Sequence, residues 1–310
     1  MATAHFVRLG RFRLPFAPAT ILRMKVGMEN GGRCALLLAI MLAAGGLACA
    51  HGQWLNYRNP QTPRTRDGRP NLSEPPPRTR DRRPDLSGVW HVQPSGLAEM
   101  KRLFGDDVDK IDVPGMEADT ISKYAVNILL DFKPEESPMR PAAAEILRQR
   151  RGDSVPSKSC LPIGIPLDTM VSEVSKIVQT PGLIVIMLEN DSAVRQIYTD
   201  GRQLPSDPSP SWFGYSVGKW EGNTLVVDTV GFNDKSWLDV MGHPHSEAMH
   251  LRERYTRRDF GHMDVETTID DPVMYTRPFT VKVTHELQAD SDILEYICAE
   301  NEKDNRHIKN

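Results

Sequence analysis

From Cys160 to the C-terminus the chain is cut into short apolar and β-branched runs separated by turn chemistry, and this pattern limits its possible folds most. Lys176–Gln179 and Leu183–Leu188 are broken by Pro181-Gly182, and Glu189-Asn190-Asp191 leads into Ala193–Thr199. Tyr215–Trp220 and Thr224–Val230 enclose Glu221-Gly222-Asn223, the clearest hairpin in the chain. Met249–Arg257 and Met263–Ile269 flank Asp259-Phe260-Gly261, while Phe279–Leu287 and Ile293–Cys298 flank Ala289–Ser291. Leu86–Val92 supplies an earlier strand. Runs of this kind joined by tight turns pair as antiparallel neighbours. About nine consecutive strands leave two exposed edges unless the sheet curls shut. The expected fold is mainly β, an antiparallel meander closing into a barrel or sandwich.

One stretch breaks the pattern. Between Pro94 and Ser159, the segments Leu97–Phe104, Ile121–Leu130 and Ala142–Arg151 carry apolar residues at helical spacing, with Pro141 suited to a helix start. This reads as a helical or irregular insertion, at about 95–159, lying outside the barrel. The barrel domain as a whole is expected over 86–304, with a short tail at 305–310.

The N-terminus reads as a targeting segment. Arg8, Arg11, Arg13, Arg23, Lys25 and Arg33 precede an uncharged run, Cys34–Ala50, that ends in Ala48-Cys49-Ala50. A basic region, an apolar core and a small-residue ending describe a cleavable signal peptide over 1–50. The run is shorter than the roughly 20 residues that span a bilayer, and no second such run follows, so no transmembrane span is expected in the mature chain. Met24 or Met28 as the translation start would give a more ordinary signal length than Met1. Acylation of Cys49, as in a lipoprotein, is the alternative to cleavage after Ala50.

Residues 1–50 hold six of the 38 basic and one of the 41 acidic residues, so the remainder carries 32 against 40, a formal charge of −8. An acidic exported protein is a poor partner for nucleic acid or anionic lipid. Its two cysteines, Cys160 and Cys298, are expected to pair in an oxidising compartment, periplasmic or extracellular. Two buried free thiols are the alternative.

A Pro/Arg-rich arm, 51–85, follows the signal. It contains PRTRDGRPNLS at Pro63–Ser73 and again PRTRDRRPDLS at Pro77–Ser87. So many prolines with so little to bury predict an extended or disordered segment. It serves either as a docking arm toward an envelope partner or as a strap across the domain, with Trp54 and Tyr57 as anchors.

The double motif, WLNY at Trp54–Tyr57, KIVQTPGLIVI at Lys176–Ile186, the long segment Arg195–Asp234 containing GYSVGKWEGNTLVVDTVGFND, Trp237–Pro272 and EYICAENEKD at Glu295–Asp304 together resemble an uncharacterised family of exported bacterial proteins of acidobacterial type. The resemblance spans nearly all of the mature chain and implies export and a shared architecture. It implies no activity. Gly88-x-Trp90 in the opening strand is similar to the start of a lipocalin barrel, a likeness of fold alone.

Chemistry concentrates in the connection Asp234–His250. His243 and His245 at H-x-H spacing, with Glu247 and His250, form a candidate ligand set for a divalent metal such as zinc, iron or manganese, as in a lyase or hydrolase. Without metal, His243 held by Asp239 or Glu247 would serve acid–base catalysis. The remaining alternative is a hydrogen-bonded loop that closes the barrel and orders Trp237. On the next strand His250, Arg252 and Arg254 share one face. If that face is the interior, the arginines form a clamp for an anion or carboxylate, with Asp228 as a buried partner; if it is the exterior, they form a solvated charge ladder. No G-x-S-x-G, H-E-x-x-H, phosphate-loop or dinucleotide motif is present. The reading is an exported small-molecule-binding barrel with Trp237, Asp228, Arg252 and Arg254 at its ligand. The rival is a non-catalytic envelope module.

Cleavage after Ala50 predicts that N-terminal sequencing of the exported protein begins at His51. A chain starting at an acylated Cys49 would show the lipoprotein route instead.

Overall fold

The computed structural model describes residues 58–105, 120–151, 155–171, 174–189 and 193–298. The signal, Cys49, Trp54, Tyr57 and the tail lie outside these residues. Nine strands form one closed barrel in chain order. They are β1 (Gly88–Val92), β2 (Ser175–Thr180), β3 (Leu183–Leu188), β4 (Ala193–Tyr198), β5 (Tyr215–Glu221), β6 (Thr224–Val230), β7 (His250–Arg257), β8 (His262–Asp270) and β9 (Phe279–Leu287). The lipocalin-like expectation is met as architecture. Ile293–Cys298, expected as a tenth strand, is not one. The barrel closes by pairing β9 with β1, as in Trp90↔Leu287, and no place remains in the ladder.

Nine is an odd number, and an up-and-down ring of nine strands cannot be antiparallel at every junction. One neighbour pair has to be parallel. That junction is β4–β5, with Ile197↔Ser216 and Tyr198↔Val217. The connection 199–214 therefore has to double back to the start of β5 instead of turning tightly. It is pinned at both ends: Arg202 lies 3.7 Å from the Tyr198 ring centroid and donates to the Tyr215 hydroxyl at 3.0 Å, and Ser211 N–H donates to Gly231 O at 2.9 Å.

Between β1 and β2 lie helices α1 (Leu97–Phe104), α2 (Lys123–Val126) and α3 (Pro141–Gln149). The helix expected over Ile121–Leu130 is only one turn long. Ser122 caps it, and Asn127 leaves the helix in an extended conformation. The insertion covers the end of the barrel where β1, β3, β6 and β8 finish. The Cys160–Cys298 disulfide ties it to the C-terminal segment.

The opposite end, the base, is closed by Trp90 and by the arm. Trp90 is fully buried and donates Nε1–H to Leu86 O at 2.9 Å. Gly88, at φ 147°, leaves no Cβ to collide with Leu287 and the Trp90 ring, which accounts for the Gly-x-Trp spacing. The Arg257 guanidinium lies 4.8 Å from the Trp90 ring and donates to the carbonyls of Asp85, Ser87 and Phe260. Burial pushes the pKa of Arg257 down to about 10, against the pull of Asp85 and Asp259.

The arm is not disordered over its described part. It runs round the base, from Asp290, where Asn59 N–H and Arg64 bind, past Gly261, whose N–H donates to Leu72 O at 2.8 Å, to Gln179, which bonds Pro84 and Leu86. The duplicated motif folds twice into the same small hairpin. Thr65 N–H donates to Arg69 O and Thr79 N–H to Arg83 O, both at 2.9 Å; Gly68 N–H donates to Thr65 O and Arg82 N–H to Thr79 O, both at 3.0 Å. Local turn bonds, not a core, order it, which is why low hydrophobicity misleads here.

At the matching turn position the first copy has Gly68 at φ 82° and the second has Arg82 at φ 65°. Only glycine adopts this left-handed region without cost. Arg82→Gly is therefore expected to stabilise the protein by about 0.5–1 kcal/mol in a denaturant melt.

Candidate functional site

The connection between β6 and β7 lies at the rim covered by the insertion, and Asp239 organises it. Its fully buried carboxylate accepts from Ile128 N–H at 2.7 Å, Gly242 N–H at 3.0 Å, His243 N–H at 3.1 Å and His243 Nδ1 at 2.5 Å. Asp239 thus joins the loop to the insertion and fixes the His243 ring. His243 is 4% exposed, and its Nε2 has no hydrogen-bond partner among the described residues. Trp237 packs under Arg150, whose guanidinium lies 5.2 Å from the ring.

The proposed metal ligands do not converge. His245 Nε2 bonds Ser236 Oγ at 2.7 Å while its Nδ1 faces Ser246 O at 3.3 Å. A carbonyl requires a donor, so Nδ1 carries the proton and Nε2 accepts. Burial lowers the His245 pKa and keeps the ring neutral. His250 Nε2 is on Asp228 at 2.8 Å, and Glu247 is exposed. Among the described residues no group of three or more His, Cys, Asp or Glu side chains is arranged to hold a metal ion. Pro244 and the turn at Gly242 send neighbouring side chains in different directions, so sequence proximity does not become a coordination sphere.

The arginine row faces out. Asp228 accepts from Arg252 Nε at 2.8 Å, and Arg254 Nη1 donates to Glu221 at 3.0 Å. Both arginine side chains are exposed, at 54% and 40%. This is the solvated ladder, not an interior clamp. Alternation along β7 instead turns Leu251, Glu253, Tyr255 and Arg257 inward.

The interior arginine is Arg195, from β4, a residue sequence analysis did not single out. Its side chain is 3% exposed, and its partner Glu253, from β7, is 0% exposed. Arg195 Nη1 donates to Glu253 at 3.1 Å and to the Tyr255 hydroxyl at 3.3 Å. Nη2 donates to Glu253 and, at 3.0 Å, to Thr229; Nε donates to Ser216 at 3.2 Å. Tyr255 in turn donates to Glu253 at 2.7 Å. Burial alone would lower the Arg195 pKa, but Glu253 and Tyr255 outweigh it and hold it above its ordinary value. Burial beside Glu253 pushes the Tyr255 phenol well up. Opposite Glu253 on β8, the buried Thr267 hydroxyl has no hydrogen-bond partner among the described residues.

Arg195, Tyr255, His285 and Asp168 share a cavity of about 20 Å³ whose apolar wall includes Ile177 and Ile186. That volume holds a water-sized group. Asp168 and Thr169 come from a single helical turn, Leu167–Thr169, at the end of the insertion. Thr169 O accepts from His285 Nε2 at 2.9 Å. Neither His243 nor Trp237 lines this cavity. The signal that could have found the site was parity: on β4, Arg195 shares the face of Ile197, and on β7, Glu253 shares the face of Leu251.

Fold and site define a closed β-barrel with a charged but internally neutralised polar layer. No family model, curated protein or solved structure matches the chain.

Burial pushes His285 down to about 4, with the Thr169 carbonyl opposing and His91 assisting. The unfolded chain takes up this proton near 6.5 and the folded protein only near 4. The neutral ring therefore contributes stability in full above the first value, and that contribution disappears as pH falls from the first to the second. Denaturant melts at about pH 7 and about pH 4.5 are expected to differ by on the order of 2–3 kcal/mol more in the wild type than in His285→Gln.

Proposed function

We propose that this chain is an exported small-molecule-binding barrel whose ligand places one small polar group in the cavity beside Arg195, Tyr255 and His285. The observation that supports this is the convergence of four titratable side chains from the barrel and the insertion on one cavity with an apolar wall. Glu253 already neutralises Arg195, and His285 is neutral near pH 7. An uncharged hydroxyl or carbonyl compound fits this balance better than a carboxylate. Export is supported by the Cys160–Cys298 disulfide, which persists in oxidising compartments. It accords with the resemblance to exported bacterial proteins.

A second reading places acid–base chemistry at the rim, on His243. It is favoured by one arrangement: a buried carboxylate on Nδ1, with no partner for Nε2 among the described residues.

Native mass spectrometry with a panel of small alcohols, phenols and short carboxylic acids tests both readings. The expected result is a one-to-one adduct with an uncharged member, lost in Leu188→Trp, which fills the cavity, and kept in His243→Gln. Loss in His243→Gln alone would move the ligand to the rim. No adduct across the panel would remove the binding reading.

A further inference from the structure

The formal charge of −8 argues against an anionic partner, but it averages over a molecule whose charges are sorted. Residues 58–85 carry eight basic and four acidic side chains, a charge of +4, and residues 86–310 carry 24 against 36, a charge of −12. The structure wraps the positive part round one end of the barrel. One hairpin is anchored at Asp290 after β9, through Arg64. The other is anchored at the β5–β6 turn, where Arg78 donates to Asn223 at 3.2 Å and the Arg83 guanidinium lies 5.8 Å from the Trp220 ring.

Each hairpin is braced in the same way. In each, the single proton of the threonine hydroxyl is shared between the carboxylate two residues on, Asp67 or Asp81, and the carbonyl four residues on, at 3.1 Å. Two stiff turns therefore hold exposed guanidinium groups in place. Arg66, Arg80 and Arg82 are exposed and have no carboxylate ion-pair partner among the described residues. Arg69 and Arg83 pair only with the exposed Asp67 and Asp81, at 3.2 and 3.1 Å. Such solvated pairs are weak and give way to a better anion.

We propose that this base docks on bilayers containing anionic phospholipid, with the guanidinium groups of the two hairpins on the headgroup phosphates. Arginine matches phosphate oxygens through two parallel donors. The two hairpins are anchored at separate edges of the base, so their charge spreads over a face and suits a surface better than a single extended polyanion. Asp290, Asp259 and Glu221, acids that the structure places at the base, are already paired, with Arg64, His262 and Arg254 respectively. Acids toward the rim end of the strands lie beyond the Debye length of about 8 Å at physiological salt.

Co-sedimentation of the purified protein with vesicles tests this. Binding is expected to vesicles of phosphatidylcholine mixed with phosphatidylglycerol and not to phosphatidylcholine alone, and it should weaken as salt is added. The triple variant R66Q/R80Q/R82Q should lower partitioning on the order of a hundredfold while leaving the melting temperature close to wild type. R148Q/R151Q, which removes two exposed arginines of the insertion at the opposite end of the barrel, should bind like wild type. Equal binding to both vesicle types, or equal loss in the two variants, would overturn the proposal. So would binding of heparin without binding of vesicles, which would assign the base to a soluble polyanion. None of these outcomes depends on whether the interior cavity takes a ligand.

Discussion

Closing nine strands into one ring forces a parallel junction, and much of the molecule follows from where it falls. Because it falls at β4–β5, β9 returns antiparallel to β1 and the sheet keeps no free edge. The same choice requires a connection that doubles back on itself, held by Tyr198, Tyr215 and Arg202. It also divides the remaining chain between two ends. The arm and the short turns lie at the base. The insertion and the Val230–His250 connection lie at the rim.

Inside the ring, one polar layer interrupts the apolar core. Isolating a guanidinium and a carboxylate from water is expensive, and an apolar replacement of similar shape is often as stable. The layer is tolerable because its bonds are nearly complete: Arg195 spends its donors on Glu253, Tyr255, Thr229 and Ser216. Four strands, β4 to β7, supply these groups, so the layer exists only when the ring is closed across the parallel junction. Among the described residues, Thr267 is the one buried side chain whose polar atom has no hydrogen-bond partner. Its neighbourhood, together with the cavity beside His285, is where the interior departs from a packing-only design.

The rim and the base use charge differently. At the rim Asp239 acts as a buried staple, gathering three backbone N–H groups and one imidazole from two separate parts of the chain. At the base, Arg257 is buried against Trp90, while the guanidinium groups of Arg66, Arg80 and Arg82 stay in solvent on the turns of the arm. A net charge computed for the whole chain describes neither arrangement, since both depend on which residues the fold gathers.

The sequence by itself determined the strands, because alternation of period two and Gly, Pro and Asn turns are local properties. Eight of the nine strands follow from them to within one residue at each end, and the first, expected from Leu86, begins two residues later at Gly88. It determined the Cys160–Cys298 pair by arithmetic, the rim position of the His-rich loop by its flanking strands, and the Asp239–His243 contact as one of two options. Only the tertiary structure decided which face of β7 is inside. Alternation sorts residues into two sets without saying which set is buried, and the arginine set proved to be the outer one. Only the tertiary structure brought Arg195 to Glu253, 58 residues apart. It also separated His243, His245, Glu247 and His250, neighbours in sequence whose side chains answer to different partners. It made a rigid strap of an arm whose composition predicts disorder, because the bonds that hold it are turn bonds and contacts to the far end of the chain. Local chemistry is written in order along the chain, whereas a site is assembled by closure, and closure is a property of the ring as a whole.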